Sequence, residues 1–105
     1  MPTLGIDLGG TFARAAVVDA KGNIIASAKM ALTERSPSAV VESIAHAAKA
    51  AVDTAGTPVQ GCGVGAAGQI HGDSGVLAVA PNLGWRNVPL GEMLRTRLGY
   101  SVRVV

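Results

Sequence analysis

The chain opens with alternating apolar and small or polar residues, which is the pattern of a β-strand. Apolar side chains occupy every second position over residues 4–8, and residues 12–18 continue with similar strand character after a turn. Residues 19–23 have the composition of a hairpin turn with Gly22 in the left-handed conformation, and residues 24–30 return as another strand. The pattern predicts three consecutive antiparallel strands.

The pattern becomes helical after the third strand. Ser36 followed by Pro37 is a typical helix start, and Gly56 a typical helix end, so we expect a helix over residues 37–55. His46 falls on the polar side of this helix, where a solvent-facing residue is expected. The apolar stripe consists of Val41, Ile44, Ala48, Val52 and Ala55.

The second half of the chain predicts shorter elements. They are, in order, a buried strand within 59–70, a turn at 71–75, a short strand at 76–80, a loop at 81–88, a helix from Pro89 to Gly99 and a strand at 100–105.

This order of elements is that of an α/β, ribonuclease-H-like half-domain. Three antiparallel strands are followed by parallel strands and crossover helices in one mixed sheet. In such a sheet the first hairpin turn lies beside the carboxyl ends of the parallel strands, where α/β sheets place ligands. At 105 residues, the chain is long enough for one small domain, and no internal boundary is predicted.

The amino-acid composition of the chain argues against nucleic-acid and membrane partners. The chain is 49% hydrophobic, 15% charged and has a net charge of +2, with scattered basic residues, so we expect no nucleic-acid partner. Cys62 is the single cysteine, which rules out an internal disulfide and is expected to be a small buried residue. No signal segment or bilayer-spanning apolar run is found, so we expect no membrane partner and a cytoplasmic protein.

The first turn carries the candidate chemistry. Gly9 and Gly10 allow backbone N–H groups to approach an anion, and Thr11 adds a hydroxyl. Asp7 by itself would repel a phosphate by roughly 4 kcal/mol at about 4 Å and an effective dielectric near 20, so a divalent cation must stand between them. Magnesium fits, because it is held by one or two carboxylates together with phosphates and waters. An ordinary hairpin with an acidic residue near its turn would show the same pattern.

Four segments together resemble the amino-terminal half-domain of the ROK sugar kinases. They are Gly5–Thr11, Gly63–Ile70, Ala80–Trp85 and Val88–Leu90, in the same order as in the family and across nearly the whole chain. The resemblance implies the actin-like and hexokinase-like architecture, in which two ribonuclease-H-like lobes bind sugar and ATP between them. It also implies transfer of the γ-phosphoryl group of ATP to a hexose hydroxyl.

The same resemblance implies roles for individual residues. Asp7 would hold magnesium through water, and the phosphate turn would consist of Gly9, Gly10 and Thr11. Trp85 is either a wall of the sugar pocket or an anchor in the core. Residues implied to shape the sugar pocket are Gly65, Ala66, Gly68 and Asn82, the last by hydrogen bonds to hydroxyls.

Two departures from the family pattern matter. Ala67-Gly68 stands where the family usually has Pro-Gly, and the chain stops at Val105, before the family's catalytic aspartate. We therefore expect residues 1–105 to be a truncated amino-terminal lobe with no catalytic residue of its own, the base lying just beyond Val105. The second lobe, with its nucleotide pocket and zinc motif, would also be missing. Alone, the chain is expected to be inactive and to form a homo-oligomer through surfaces left uncovered.

Two other functions remain open at this point. The chain could be a sugar-binding or interaction module, or the sugar-sensing lobe of a ROK transcriptional repressor. Family repressors carry a helix-turn-helix domain before the phosphate turn, and because two residues precede residue 3, we expect no such domain here. The identity of the sugar, and the choice between ATP and polyphosphate as donor, are not fixed by the sequence.

Overall fold

The computed structural model describes residues 1–72 and 74–105. Its strands are β1 (Thr3–Leu8), β2 (Phe12–Val18), β3 (Ile24–Ala31), β4 (Cys62–Ala66), β5 (Gln69–Ile70), β6 (Leu77–Ala80), β7 (Trp85–Val88) and β8 (Val102–Val104). Its helices are α1 (Pro37–Ala55), α2 (Leu90–Leu98) and a single 3₁₀ turn, Pro81–Leu83.

Five strands form a mixed sheet in the order β3-β2-β1-β4-β8. The pairs β1–β2 and β2–β3 are antiparallel, whereas β4 is parallel to both β1 and β8. The predicted α/β fold, with three antiparallel strands followed by parallel ones, is therefore confirmed. Leu8 pairs with Ala66, so β1 and β4 end side by side at one edge of the sheet.

One face of this sheet is buried and the other is open. Alternate residues of β1, such as Leu4 and Ile6, are almost fully buried on the face that α1 covers. Asp7 of β1 and Gly63 of β4 are exposed on the opposite face. The strand alternation seen in the sequence thus separates a core face from an open face.

The long helix has the predicted bounds. The Ser36 hydroxyl accepts a hydrogen bond from the Ala39 N–H (3.4 Å), Pro37 occupies the first turn and Gly56 ends the helix with a φ of 69°. His46 is exposed, as predicted. Capping and amphipathic spacing are local properties, which is why the sequence predicts this element well.

The second helix and the single cysteine also match the expectations. Pro89 precedes α2 as its N-cap residue, one position before the helix proper, and Gly99 ends it with a φ of 78°. Cys62 is the first residue of β4 and is buried, and burial raises the pKa of its thiol to about 11. The thiol is therefore protonated at neutral pH.

The prediction of a loop over residues 81–88 is wrong. This segment is a 3₁₀ turn followed by β7, which pairs with β6 in a second, three-stranded sheet of order β5-β6-β7. Proline, asparagine and glycine gave the segment a loop-like composition, but the strand depends on nonlocal pairing such as Ala80 with Trp85.

The strand expected within 59–70 is two strands. The chain bends at Ala67–Gly68 between β4 and β5, and a side chain on Gly68 would overlap the carbonyl oxygen of Val79. The turn predicted at 71–75 includes Asp73, which lies outside the described residues. Over the ranges 1–72 and 74–105, neither helix is long and apolar enough to cross a membrane.

Candidate phosphate and sugar site

The turn between β1 and β2 lies at the edge where the parallel strands end. Its closing hydrogen bond runs from the Gly9 N–H to the Phe12 carbonyl oxygen (3.0 Å). Residues 10 and 11 form the tip, and the Thr11 side chain is exposed. The turn therefore presents its backbone beside the carboxyl ends of β1 and β4.

The tip of this turn has free hydrogen-bond donors. Within the described ranges 1–72 and 74–105, the N–H groups of Gly10 and Thr11 donate to no protein acceptor, whereas the Gly9 N–H is engaged in the turn. An N–H without a protein acceptor can bind water or an anion without breaking a hydrogen bond of the fold. Two adjacent donors and the Thr11 hydroxyl are thus available to a ligand.

Gly10 is needed in the turn for space rather than for left-handed backbone. Neither Gly9 nor Gly10 is among the glycines with positive φ in the described part of the chain. A Cβ atom on Gly10 would lie 3.0 Å from the Cβ of Asn82. Gly10 therefore allows the turn to contact the 3₁₀ segment that carries Asn82.

Asp7 shares a pocket with the turn. The side chain is exposed on the open face of the sheet, directly across the β1–β2 ladder from Arg14. The pocket has a volume of about 350 Å³ and is lined by Asp7, Gly9, Gly10, Thr11, Phe12 and Arg14. The Asp7 carboxylate, the Arg14 guanidinium and a set of anion-binding donors therefore line the same space. A cation between Asp7 and a phosphate would offset the repulsion between their negative charges.

The donor set fits a magnesium ion that is shared with phosphate. In the part of the chain that the structure describes, no three His, Cys, Asp or Glu side chains come together as a metal cage. Asp7 is thus a single carboxylate beside backbone N–H groups. Magnesium keeps several waters and takes one or two carboxylates plus phosphate oxygens, so the site fits that ion and does not fit zinc, which needs several protein ligands.

The structure brings most of the predicted sugar-pocket residues to this turn. Gly65 pairs with Asp7 in the β1–β4 ladder, and Ala66 follows at the end of β4. Asn82 is exposed and packs against Gly10. Gly68 lies beyond the end of β4, where its missing side chain lets the chain approach Val79.

Two residues behind the turn complete the site, and one of them the sequence did not indicate. Trp85 is buried, and its indole N–H donates to the Arg35 carbonyl oxygen (2.6 Å), so it is a core anchor. The Arg35 guanidinium donates through Nε and Nη2 to the Gly10 carbonyl oxygen, at 3.1 and 2.9 Å. No sequence motif predicts this contact, because Arg35 and Gly10 lie 25 positions apart in the chain.

Comparison with known proteins identifies the family of this chain. The sequence matches the model of the ROK family over residues 3–105. The chain belongs to the ROK family. It is 39% identical over 102 residues to a glucokinase of Streptomyces coelicolor, a match that covers 97% of this chain and 31% of the relative. It thus spans about a third of the length of that ROK relative.

Solved structures and a further relative extend the comparison. The ROK family glucokinase of Streptomyces griseus, solved in complex with glucose and AMPPNP, superposes with a TM-score of 0.91 at 35% identity, over 99% of this chain and 32% of that one. A protein of Caldicellulosiruptor sp. that is named as a xylose repressor is 32% identical over 106 residues, covering 96% of this chain and 26% of the relative. The ROK fold of this chain is therefore shared by kinases and by a protein named as a regulator.

Proposed function

We propose that residues 1–105 form the amino-terminal lobe of a ROK sugar kinase that transfers the γ-phosphoryl group of ATP to a hexose hydroxyl. The observation that carries this proposal is the turn at Gly10 and Thr11, whose free N–H groups share a pocket with the Asp7 carboxylate. A binding module for sugar alone has no need of anion donors beside a carboxylate.

The turn would bind phosphate oxygens of the nucleotide. The Gly10 and Thr11 N–H groups and the Thr11 hydroxyl donate, while Gly9 closes the turn through its bond to Phe12. Asp7 would hold magnesium through water, and the ion supplies positive charge that offsets phosphate repulsion. These residues position charge and leave the chemical step to groups elsewhere.

The sugar would lie on the β4 side of the turn. Gly65, Ala66 and Gly68 shape the backbone there, and the exposed Asn82 amide can donate to one hydroxyl and accept from another. Because Asn82 packs directly against Gly10, the hexose and the phosphate would be held by one rigid unit. A glucose-type hexose is the default expectation from the glucokinase relatives.

We expect the isolated chain to lack kinase activity. The catalytic base would lie just beyond Val105, and the adenosine pocket, with any zinc site, in a second lobe. A general base typically contributes 10²- to 10⁴-fold to rate. A coupled assay that found sugar-dependent turnover by the pure chain, lost in Asp7→Ala, would contradict this expectation.

The proposed function is tested in the full-length protein that contains this chain. Asp7→Asn should lower kcat/KM for hexose phosphorylation at least 100-fold, because the magnesium-bridged phosphate loses its carboxylate. Asp53→Asn is the matched control, since Asp53 is an exposed helix residue that forms an ion pair with Lys49. Equal activity of the two variants, or no phosphorylation by the wild type with any hexose, would refute the proposal.

We also expect a cytoplasmic location, because ATP is present there.

We expect the isolated chain to self-associate. The open face and the β3 edge expose Ile24, Ile25 and Met30, at 67%, 44% and 36% of their surface. Exposed apolar strand edges pair readily with a second copy. Light scattering should find a dimer or larger species, and a monomer at micromolar concentration would count against it.

A sugar-sensing lobe of a ROK repressor is the second candidate. The 32% identity to the protein named as a xylose repressor favours it. Such a lobe would bind sugar through Asn82 without needing magnesium. Sugar binding that is independent of nucleotide, combined with no phosphorylation by the full-length protein, would favour the repressor, and also a plain sugar-binding or interaction module.

A further inference from the structure

Arg35 contacts the candidate phosphate turn in a way that the proposed roles leave unexplained. It lies in the segment between β3 and α1 and directs two guanidinium N–H groups at a single oxygen, the Gly10 carbonyl. Among residues 1–72 and 74–105, it forms no ion pair with a carboxylate. A charged side chain is thus used to hold one backbone carbonyl of the turn.

That contact fixes the direction of a donor. The peptide joining Gly10 to Thr11 is planar and trans, so its C=O and its N–H point in opposite directions. Holding the Gly10 oxygen on the Arg35 side therefore turns the Thr11 N–H away from Arg35. Gly10 has little intrinsic conformational preference, so the orientation of this peptide depends on an external contact.

Arg35 is itself held by the core. Its carbonyl oxygen accepts the hydrogen bond of the buried Trp85 indole at 2.6 Å. Nearby, the Leu32 N–H donates to the Thr11 carbonyl oxygen at 2.8 Å, so the same segment binds the turn at two points. Trp85 belongs to β7, which follows the 3₁₀ turn of Asn82.

We propose that Arg35 is a positioning residue that orients the phosphate turn and links it, through Trp85, to the segment that bears Asn82. This inference rests on the proposed kinase function. Arg35 acts on the ligand only through the Gly10–Thr11 peptide, whose N–H it directs toward the phosphate. Its loss should weaken the use of the phosphoryl donor more than binding of the sugar.

The test uses the full-length protein with ATP and glucose as substrates. In Arg35→Gln, the KM for ATP should rise about tenfold, because a neutral amide replaces two charge-assisted hydrogen bonds with at most one weaker bond, while the KM for glucose changes less than about twofold. Arg35→Lys keeps one charged donor and should recover part of the loss. Arg97→Gln is the matched control, because Arg97 also makes two guanidinium bonds, to Glu42, on the outer surface of the helices.

Each outcome of this experiment either supports or overturns the positioning role of Arg35. A donor-selective rise in Arg35→Gln that exceeds the change in Arg97→Gln supports the positioning role. Equal changes in both KM values, or equal effects of Arg35→Gln and Arg97→Gln, would overturn it while leaving the kinase function intact. If Arg35→Gln does not fold, Arg35→Lys decides, and a wild-type KM for ATP in that variant would overturn the proposal. A wild type that phosphorylates no sugar removes the proposed function and this inference together.

Discussion

The two hairpin turns of the three-strand meander are built in opposite ways. In the second turn, between β2 and β3, the Asp19 carboxylate accepts hydrogen bonds from the N–H groups of Lys21 and Asn23, both at 2.9 Å. In the first turn, the N–H groups of Gly10 and Thr11 have no acceptor in the described ranges 1–72 and 74–105. The second turn thus satisfies donors of its own, whereas the first leaves the two donors at its tip free.

The two hairpin turns also differ in the contacts that make them rigid. The second turn is stabilised from within, by Asp19 and by the Gly22 N–H bond to the Asp19 carbonyl oxygen. The first is closed by one internal bond, from the Gly9 N–H to the Phe12 oxygen, and its tip is held from outside, by Arg35 on the Gly10 oxygen and by contact with Asn82. A turn that is to bind a ligand cannot use its donors for its own stability. Its geometry must therefore come from neighbouring elements, which is the pre-organisation that a binding site needs.

The largest effect that this comparison predicts is on activity, in Gly10→Ala. The added Cβ would lie 3.0 Å from the Asn82 Cβ, closer than normal packing, so the turn and Asn82 must separate by a few tenths of an ångström. We expect kcat/KM of the full-length protein to fall by about 10- to 100-fold, since small displacements of positioning groups are costly in rate. Steady-state assays with glucose and ATP measure this.

The corresponding glycine-to-alanine change in the turn between β2 and β3 should lower stability and leave activity unchanged. Gly22 has a φ of 85°, and no atom lies within 4 Å of where its Cβ would be. Gly22→Ala should therefore cost about 1–2 kcal/mol of unfolding free energy through backbone strain, with activity unchanged. Thermal unfolding together with the same assay checks it. Loss of activity in Gly22→Ala equal to that in Gly10→Ala would remove the distinction between the turns.

Much of the fold follows from local sequence, and these two turns show where local sequence stops being sufficient. Alternation predicts β1 to β3, and Ser36 with Gly56 predicts the ends of α1, because strand faces and helix caps are decided within a few residues. The β7 strand was missed because pairing with β6 overrides a loop-like composition.

The candidate site likewise has residues that the sequence predicts and contacts that only the folded chain shows. Asp7 and the glycines of the turn are recognisable as a motif, but the contact of Gly10 with Asn82 joins segments about seventy residues apart and exists only in the folded chain. Arg35 carries no sequence signal, because an arginine beside a helix start is ordinarily a solvated surface charge. Its role follows from one carbonyl oxygen that only the tertiary structure brings within reach.

The smallest predicted effect concerns acid stability. The pKa of Asp19 lies below its usual 3.8, first because of the hydrogen bond from the Asn23 N–H. The carboxylate is thus favoured in the folded state, so its contribution is present above about pH 4 and is lost as pH falls through the lowered pKa. Asp19→Ala should unfold at a slightly lower temperature than wild type at pH 7. That difference should shrink below pH 3.8, and one that grows on acidification would contradict the assignment.

A crystal structure of the full-length protein with glucose, magnesium and a non-hydrolysable ATP analogue tests the central claim most directly. We predict a phosphate oxygen within about 3 Å of the Gly10 or Thr11 nitrogen, the ion between that phosphate and Asp7, and the Gly10 oxygen still on Arg35. Phosphates bound elsewhere, or a turn that presents its carbonyl oxygens to them, would contradict the account.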